Sequence, residues 1–147
     1  MKIDIKEFAG IVKPIRDTDV YSVHDLEYLE HLNVSMTILH AGKETSGHEH
    51  EGADEVYMVM DGKGEMQLDT KRFPVDSGDI ILVKGGQFHK VFNTSREDLV
   101  VICIFEKYGG RGGTKPVKYE QKAPARNVDA QKLKKDLIDT INKDVPQ

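Results

Sequence analysis

Apolar and polar residues alternate along the middle of the chain with the period of two that marks a half-buried strand. Between Asn33 and His40, Val34, Met36 and Ile38 fall on one face, with Ser35 and Thr37 on the other. Ala41-Gly42-Lys43 then signals a turn. Shorter runs follow at regular spacing, over 55–60, 65–69, 72–75, 79–83, 89–93 and 98–105. Between them lie Asp61-Gly62-Lys63-Gly64, Asp76-Ser77-Gly78, Gly85-Gly86 and Asn93-Thr94-Ser95, all rich in turn-forming residues. Seven or eight short strands so punctuated predict an all-β sandwich or barrel. Pro74 lacks an amide N–H, which places it on an edge or at a strand end.

Two runs are apolar on both faces. Glu55, Tyr57 and Val59 share one face and Val56, Met58 and Met60 the other, while 99–105 reads Leu-Val-Val-Ile-Cys-Ile-Phe. A small barrel has one inside, so the outer apolar faces need a cover from the terminal extensions or from a second subunit. A homodimer is the expectation. Residues 1–31 read as an N-terminal extension, 32–108 as the barrel, and 109–147 as a Gly-rich hinge, a basic arm and a C-terminal helix. In the extension, Ile3 and Ile5 alternate as in a short strand, and Ser22 with Asp25 weakly resembles a capping box, predicting one or two helical turns within 22–31. His24 and His31 read as packing or surface residues. Ala130, Leu133, Leu137 and Ile141 recur at helical spacing in the tail.

Composition narrows the class. A chain of 147 residues favours one domain and can bury a core without disulfides. The single cysteine, Cys103, lies in an apolar run, which fits an inert thiol and a reducing cytoplasm. No apolar run approaches the roughly 18 residues of a membrane span, and no signal-peptide pattern opens the chain. The net charge of −4 divides unevenly, +4 on residues 111–126 and −8 on residues 1–110. An acidic body with one aromatic in its basic arm, Tyr119, argues against nucleic acid as partner. The basic arm reads as lying on the protein's own acidic surface.

The candidate chemistry sits in two stretches. His48 and His50 are two apart and so face one side of an extended segment; Glu55 opens the next strand and His89 a later one. Taken singly, a His-x-His pair is often surface decoration, Glu55 an edge-strand charge and His89 a core residue. Together, three imidazoles and a carboxylate suit one divalent transition metal ion: Fe, Mn, Ni, Zn, Co or Cu. Tyr57 shares the Glu55 face and is a pocket candidate; His40, just before the first stretch, and Gln87, just before His89, are weaker ones.

Gly42, five residues, His48-x-His50, four residues, Glu55, six residues, Gly62 resembles the first motif of the cupin superfamily. Gly78, five residues, Lys84-x-Gly86, two residues, His89, three residues, Asn93 resembles the second, with Lys84 where proline is usual. The resemblance covers about residues 32–105 and implies a double-stranded β-helix, or jelly-roll barrel. It also implies that His48, His50, Glu55 and His89 are the metal ligands. The segment around Thr45 to Gly64 also resembles archaeal cupin-type phosphoglucose isomerases, with a shorter spacing from the second His to the Glu. The resemblance implies a metal-dependent enzyme on a small polar molecule, whether dioxygenase, isomerase, lyase or decarboxylase. A non-catalytic binding or sensing module with a structural metal is the alternative.

Overall fold

A computed structural model describes residues 1–50, 52–109, 112–113, 126–127 and 139. After a short helix, α1 (Phe8–Ile11), come nine strands: β1 (Arg16–Asp17), β2 (Tyr21–Leu26), β3 (Leu32–Leu39), β4 (Glu55–Asp61), β5 (Lys63–Leu68), β6 (Lys71–Asp76), β7 (Ile80–Val83), β8 (His89–Phe92) and β9 (Leu99–Glu106). Two-residue segments at 126–127 and elsewhere complete the pattern. The strands expected from alternation between residues 33 and 105 are all present, with ends shifted by a residue or two.

Six strands form one sheet in the order β1-β2-β3-β9-β4-β7. Arg126–Asn127, β6, β5 and β8 form the second. The core lies between the sheets: Leu39, Tyr57, Val59, Leu99, Val101 and Phe105 from the first meet Met66, Phe73, Val75 and Val91 from the second. Leu99 and Phe105 are sealed from solvent because they sit inward on β9, which is flanked by β3 and β4. Pro74 lies within β6, exposed, and opposite Glu65 of β5; the parallel segment 126–127 pairs only with Lys71 and Arg72. The missing N–H therefore falls on a stretch of β6 that carries no second ladder among the described residues.

The N-terminal expectations need two corrections. Ile3 and Ile5 form no strand; a turn leads into α1, whose Phe8 packs with Met36 and Ile102 on the outer face of the larger sheet. Burying Phe8 there contributes about 2–3 kcal/mol. The helical turns expected within 22–31 are instead β2, paired along its whole length with β3. Ser22 and Asp25 do not cap a helix: Asp25 is buried and accepts a hydrogen bond from Ser35 Oγ at 2.6 Å. A pairing partner supplied by the fold overrides a weak local helix signal. Residues 16–26 thus extend the barrel sheet, and α1 covers part of the outer apolar face. His24 is buried, its ring held by Val12 O at 2.6 Å and Ser22 Oγ at 3.2 Å, while His31 is exposed. The expected C-terminal helix lies outside the described residues.

Candidate metal centre

The segment leading to His48 is too irregular to be a full strand, yet it runs beside β8. His48 and His89 exchange both backbone hydrogen bonds, at 3.1 and 2.9 Å, and Thr45 N donates to Val91 O at 2.9 Å. This bridge brings the two histidine stretches together. Gly47 permits it: a Cβ there would lie 2.0 Å from the Phe88 ring. The two loops are also clipped to one another, with Gly86 N donating to His50 O at 2.8 Å and Gly85 N to Asp54 Oδ1 at 2.8 Å. Gly86 has φ of 82°, which a residue with a side chain would hold only under strain. Asn93 fixes the far end of β8, donating to Leu39 O and Glu97 O at 2.9 and 2.7 Å.

These supports converge four side chains. The ligand atoms of His48, His50, Glu55 and His89 all lie within 4.8 Å of one another. His50 Nε2 is 2.9 Å from Glu55 Oε1, and His89 Nε2 is 2.9 Å from Glu55 Oε2. Donors about 2.1 Å from a shared ion and adjacent to each other stand about 3 Å apart, so the two contacts have the spacing of neighbouring ligands. The second contact lacks hydrogen-bond alignment, which leaves Glu55 Oε2 and His89 Nε2 as buried polar atoms with no hydrogen bond. Such atoms are costly unless something else meets them. The donor set, the spacing and these two atoms fit a divalent cation.

The electrostatics prepare the donors. Burial, with the neighbouring His89 and His50 rings, pushes the His48 imidazole down from 6.5 to about 3, so it is neutral with a lone pair to give. Burial alone raises a carboxyl pKa, but contact with the His50 and His89 rings outweighs it and holds Glu55 well below the ordinary carboxylate range. Gln87 O lies 3.0 Å from His89 Nδ1 and accepts a hydrogen bond from its N–H, which directs Nε2 toward Glu55.

Above the cluster is a cavity of about 70 Å³ lined by His48, His50 and His89 and by residues of both sheets. Tyr57 lines it, its ring 5.6 Å from that of His89. His40 does not; it faces Asp98, with Nδ1 3.4 Å from Oδ1. Nor does Gln87, whose side chain accepts from Lys84 N at 3.2 Å. Its backbone carbonyl, on His89, is its contribution. Sequence reasoning missed Arg16 and Tyr21, which line the cavity from the N-terminal strands, and Thr45, Ser46 and Lys90 beside the histidines. Thr45, Ser46 and Lys90 could have been found from their nearness to the histidines; nothing local marks Arg16 or Tyr21.

A two-sheet β-barrel with histidines and a glutamate converging inside it defines the class: a double-stranded β-helix protein with a candidate metal centre. Residues 35–105 match the family model described as Cupin domain, and the chain belongs to the cupin superfamily. It is 32% identical over 124 residues to a glucose-6-phosphate isomerase of Pyrococcus abyssi, covering 74% of this chain and 65% of that protein. It is 30% identical over 63 residues to an oxalate-binding protein of Thermotoga maritima, covering 43% of this chain and 52% of that one. The chain thus spans roughly half to two thirds of these curated relatives. A solved Klebsiella pneumoniae protein with a double-stranded β-helix domain superposes with a TM-score of 0.66 at 19% identity, covering 82% of this chain and 97% of the other.

Proposed function

We propose that His48, His50, Glu55 and His89 hold one divalent transition metal ion at the floor of the cavity, and that the protein is a metal-dependent enzyme acting on a small polar molecule. The observation that carries the reading is the pair of 2.9 Å contacts by which Glu55 meets two buried imidazoles, one of them outside hydrogen-bond geometry. A bound ion would supply Lewis acidity at that point. The chain supplies the rest. Gln87 O holds the His89 proton on Nδ1, Val23, Leu39, Val91 and Val101 line an apolar wall beside the cluster, and Tyr57 presents a phenol near His89 that can give or take a proton. The relative described as a glucose-6-phosphate isomerase agrees with an enzymatic role.

A non-catalytic binding role is the second reading. It is favoured by a cavity of about 70 Å³ whose walls include Val23, Leu39, Val91 and Val101, and by the relative described as oxalate-binding. We also propose a homodimer. Its support is the groove of about 380 Å³ that α1 leaves open over Leu26, Val34, Met58, Ile102 and Ile104 on the outer face.

The metal assignment is tested by elemental analysis of protein purified without chelator or nickel resin. Wild type is expected to carry about one divalent ion per chain, and His50→Ala to lose most of it, since the site loses one coordinate bond. Wild-type metal content in His50→Ala contradicts the assignment.

A further inference from the structure

Among the described residues, those lining the cavity include two cations, Arg16 and Lys90, and no Asp or Glu. This is notable on a chain whose first 110 residues carry −8. Lys90 Nζ lies 2.8 Å from Glu44 Oε1 and above the Phe92 ring. Arg16 differs in how the fold delivers it. Arg16 pairs with Val23, Val23 with Thr37, and Thr37 with Val101, across β1, β2, β3 and β9. Directly opposed residues share a face, and all four line the cavity. Slipping β1 by a single residue would turn Arg16 to the outside. Tyr21, opposite Leu39 on the same wall, places its hydroxyl 3.4 Å from Arg16 Nη1 and accepts from it.

We infer that Arg16, oriented by Tyr21, is a specificity-determining residue that selects a small oxyanion. The ion would be a carboxylate or a phosphate of few heavy atoms, seated between the guanidinium and the histidine cluster. The inference rests on the proposed metal site for the far end of that ligand, but the role of Arg16 stands on cavity geometry. A guanidinium forks onto two oxygens of one oxyanion, which a lysine ammonium does not do. Thr45 and Ser46, also on the wall, add hydroxyls for remaining oxygens. The cavity, at about 70 Å³, lies far below the roughly 300–1,000 Å³ that takes a drug-sized ligand. That space suits a two- or three-carbon acid better than a hexose phosphate.

The experiment is calorimetric titration with oxalate, acetate, inorganic phosphate, glucose 6-phosphate and the uncharged diamide oxamide. Each is run on metal-loaded and on chelator-treated protein, for wild type, Arg16→Gln and Arg16→Lys, with metal content measured for every sample. Oxalate, acetate or phosphate is expected to bind wild type at least about tenfold more tightly than oxamide or glucose 6-phosphate. Arg16→Gln should weaken that anion at least about tenfold at unchanged metal content, and Arg16→Lys should restore only part. Whichever of carboxylate and phosphate binds more tightly names the source. Equal affinity of Arg16→Gln and wild type overturns the role of Arg16, and tighter binding of glucose 6-phosphate overturns the size argument. Absence of metal from wild type defeats the metal reading alone, because the chelator-treated titrations still compare Arg16→Gln with wild type.

Discussion

Glu55→Gln separates charge from shape at the centre of the cluster. The glutamine keeps the side-chain volume and one carbonyl oxygen, so the 97% burial of this position need not change the packing. What it removes is the negative charge that two imidazoles contact at 2.9 Å. Two unit charges 4 Å apart interact by about 4 kcal/mol at an effective dielectric near 20. A divalent ion among these donors would sit closer than that, so about 4 kcal/mol is the least it should lose. At about 1.4 kcal/mol per decade, metal affinity falls by roughly a thousandfold. Competition titration against a fluorescent chelator measures this directly, with circular dichroism confirming the fold. A Glu55→Gln protein that holds its metal within about tenfold of wild-type affinity would refute the electrostatic argument and the role of Glu55 with it.

Two further outcomes follow from the same structure. With His48 depressed from 6.5 to about 3 and Glu55 depressed below its usual 4.5, the unfolded chain binds more protons than the folded one over acidic pH. Stability of chelator-treated protein should therefore fall as pH drops below about 6.5, more steeply below 4.5, and His48→Gln should flatten the first part. A thermal-melt midpoint unchanged from pH 7 to pH 5 would be inconsistent with a half-buried, neutral His48. On the outer face, the groove beside α1 and the exposed Ile5, Leu29 and Leu32 predict a dimer mass by light scattering at micromolar concentration. A monomer mass there would remove the dimer.

The strand pattern and the candidate cluster were legible along the chain for a common reason. Alternation of period two is a local property, and it set the faces of Val34, Met36 and Ile38 and of Glu55, Tyr57 and Val59 before any partner was known. His48 and His50 share a side for the same cause, and glycines at positions 42, 62, 78 and 86 mark backbone with φ between 73° and 94°. What surrounds the cluster depends on pairing across long separations. Ser22 to Asp25 carries a weak helix signal, and only β3 as neighbour makes it a strand; only the register of β1 on β2 places the exposed Arg16 at the cavity wall. His40, two residues before the first motif glycine, Gly42, faces Asp98 because β3 ends opposite the start of β9.

The sequence by itself determined the alternation, the turns and the donor types, because each is encoded within a few neighbouring residues. The tertiary structure alone decided that Glu55 lies 2.9 Å from two imidazoles and that an N-terminal arginine lines the cavity. Those distances come from cross-strand register, which depends on which strands pair and is not written in any one of them.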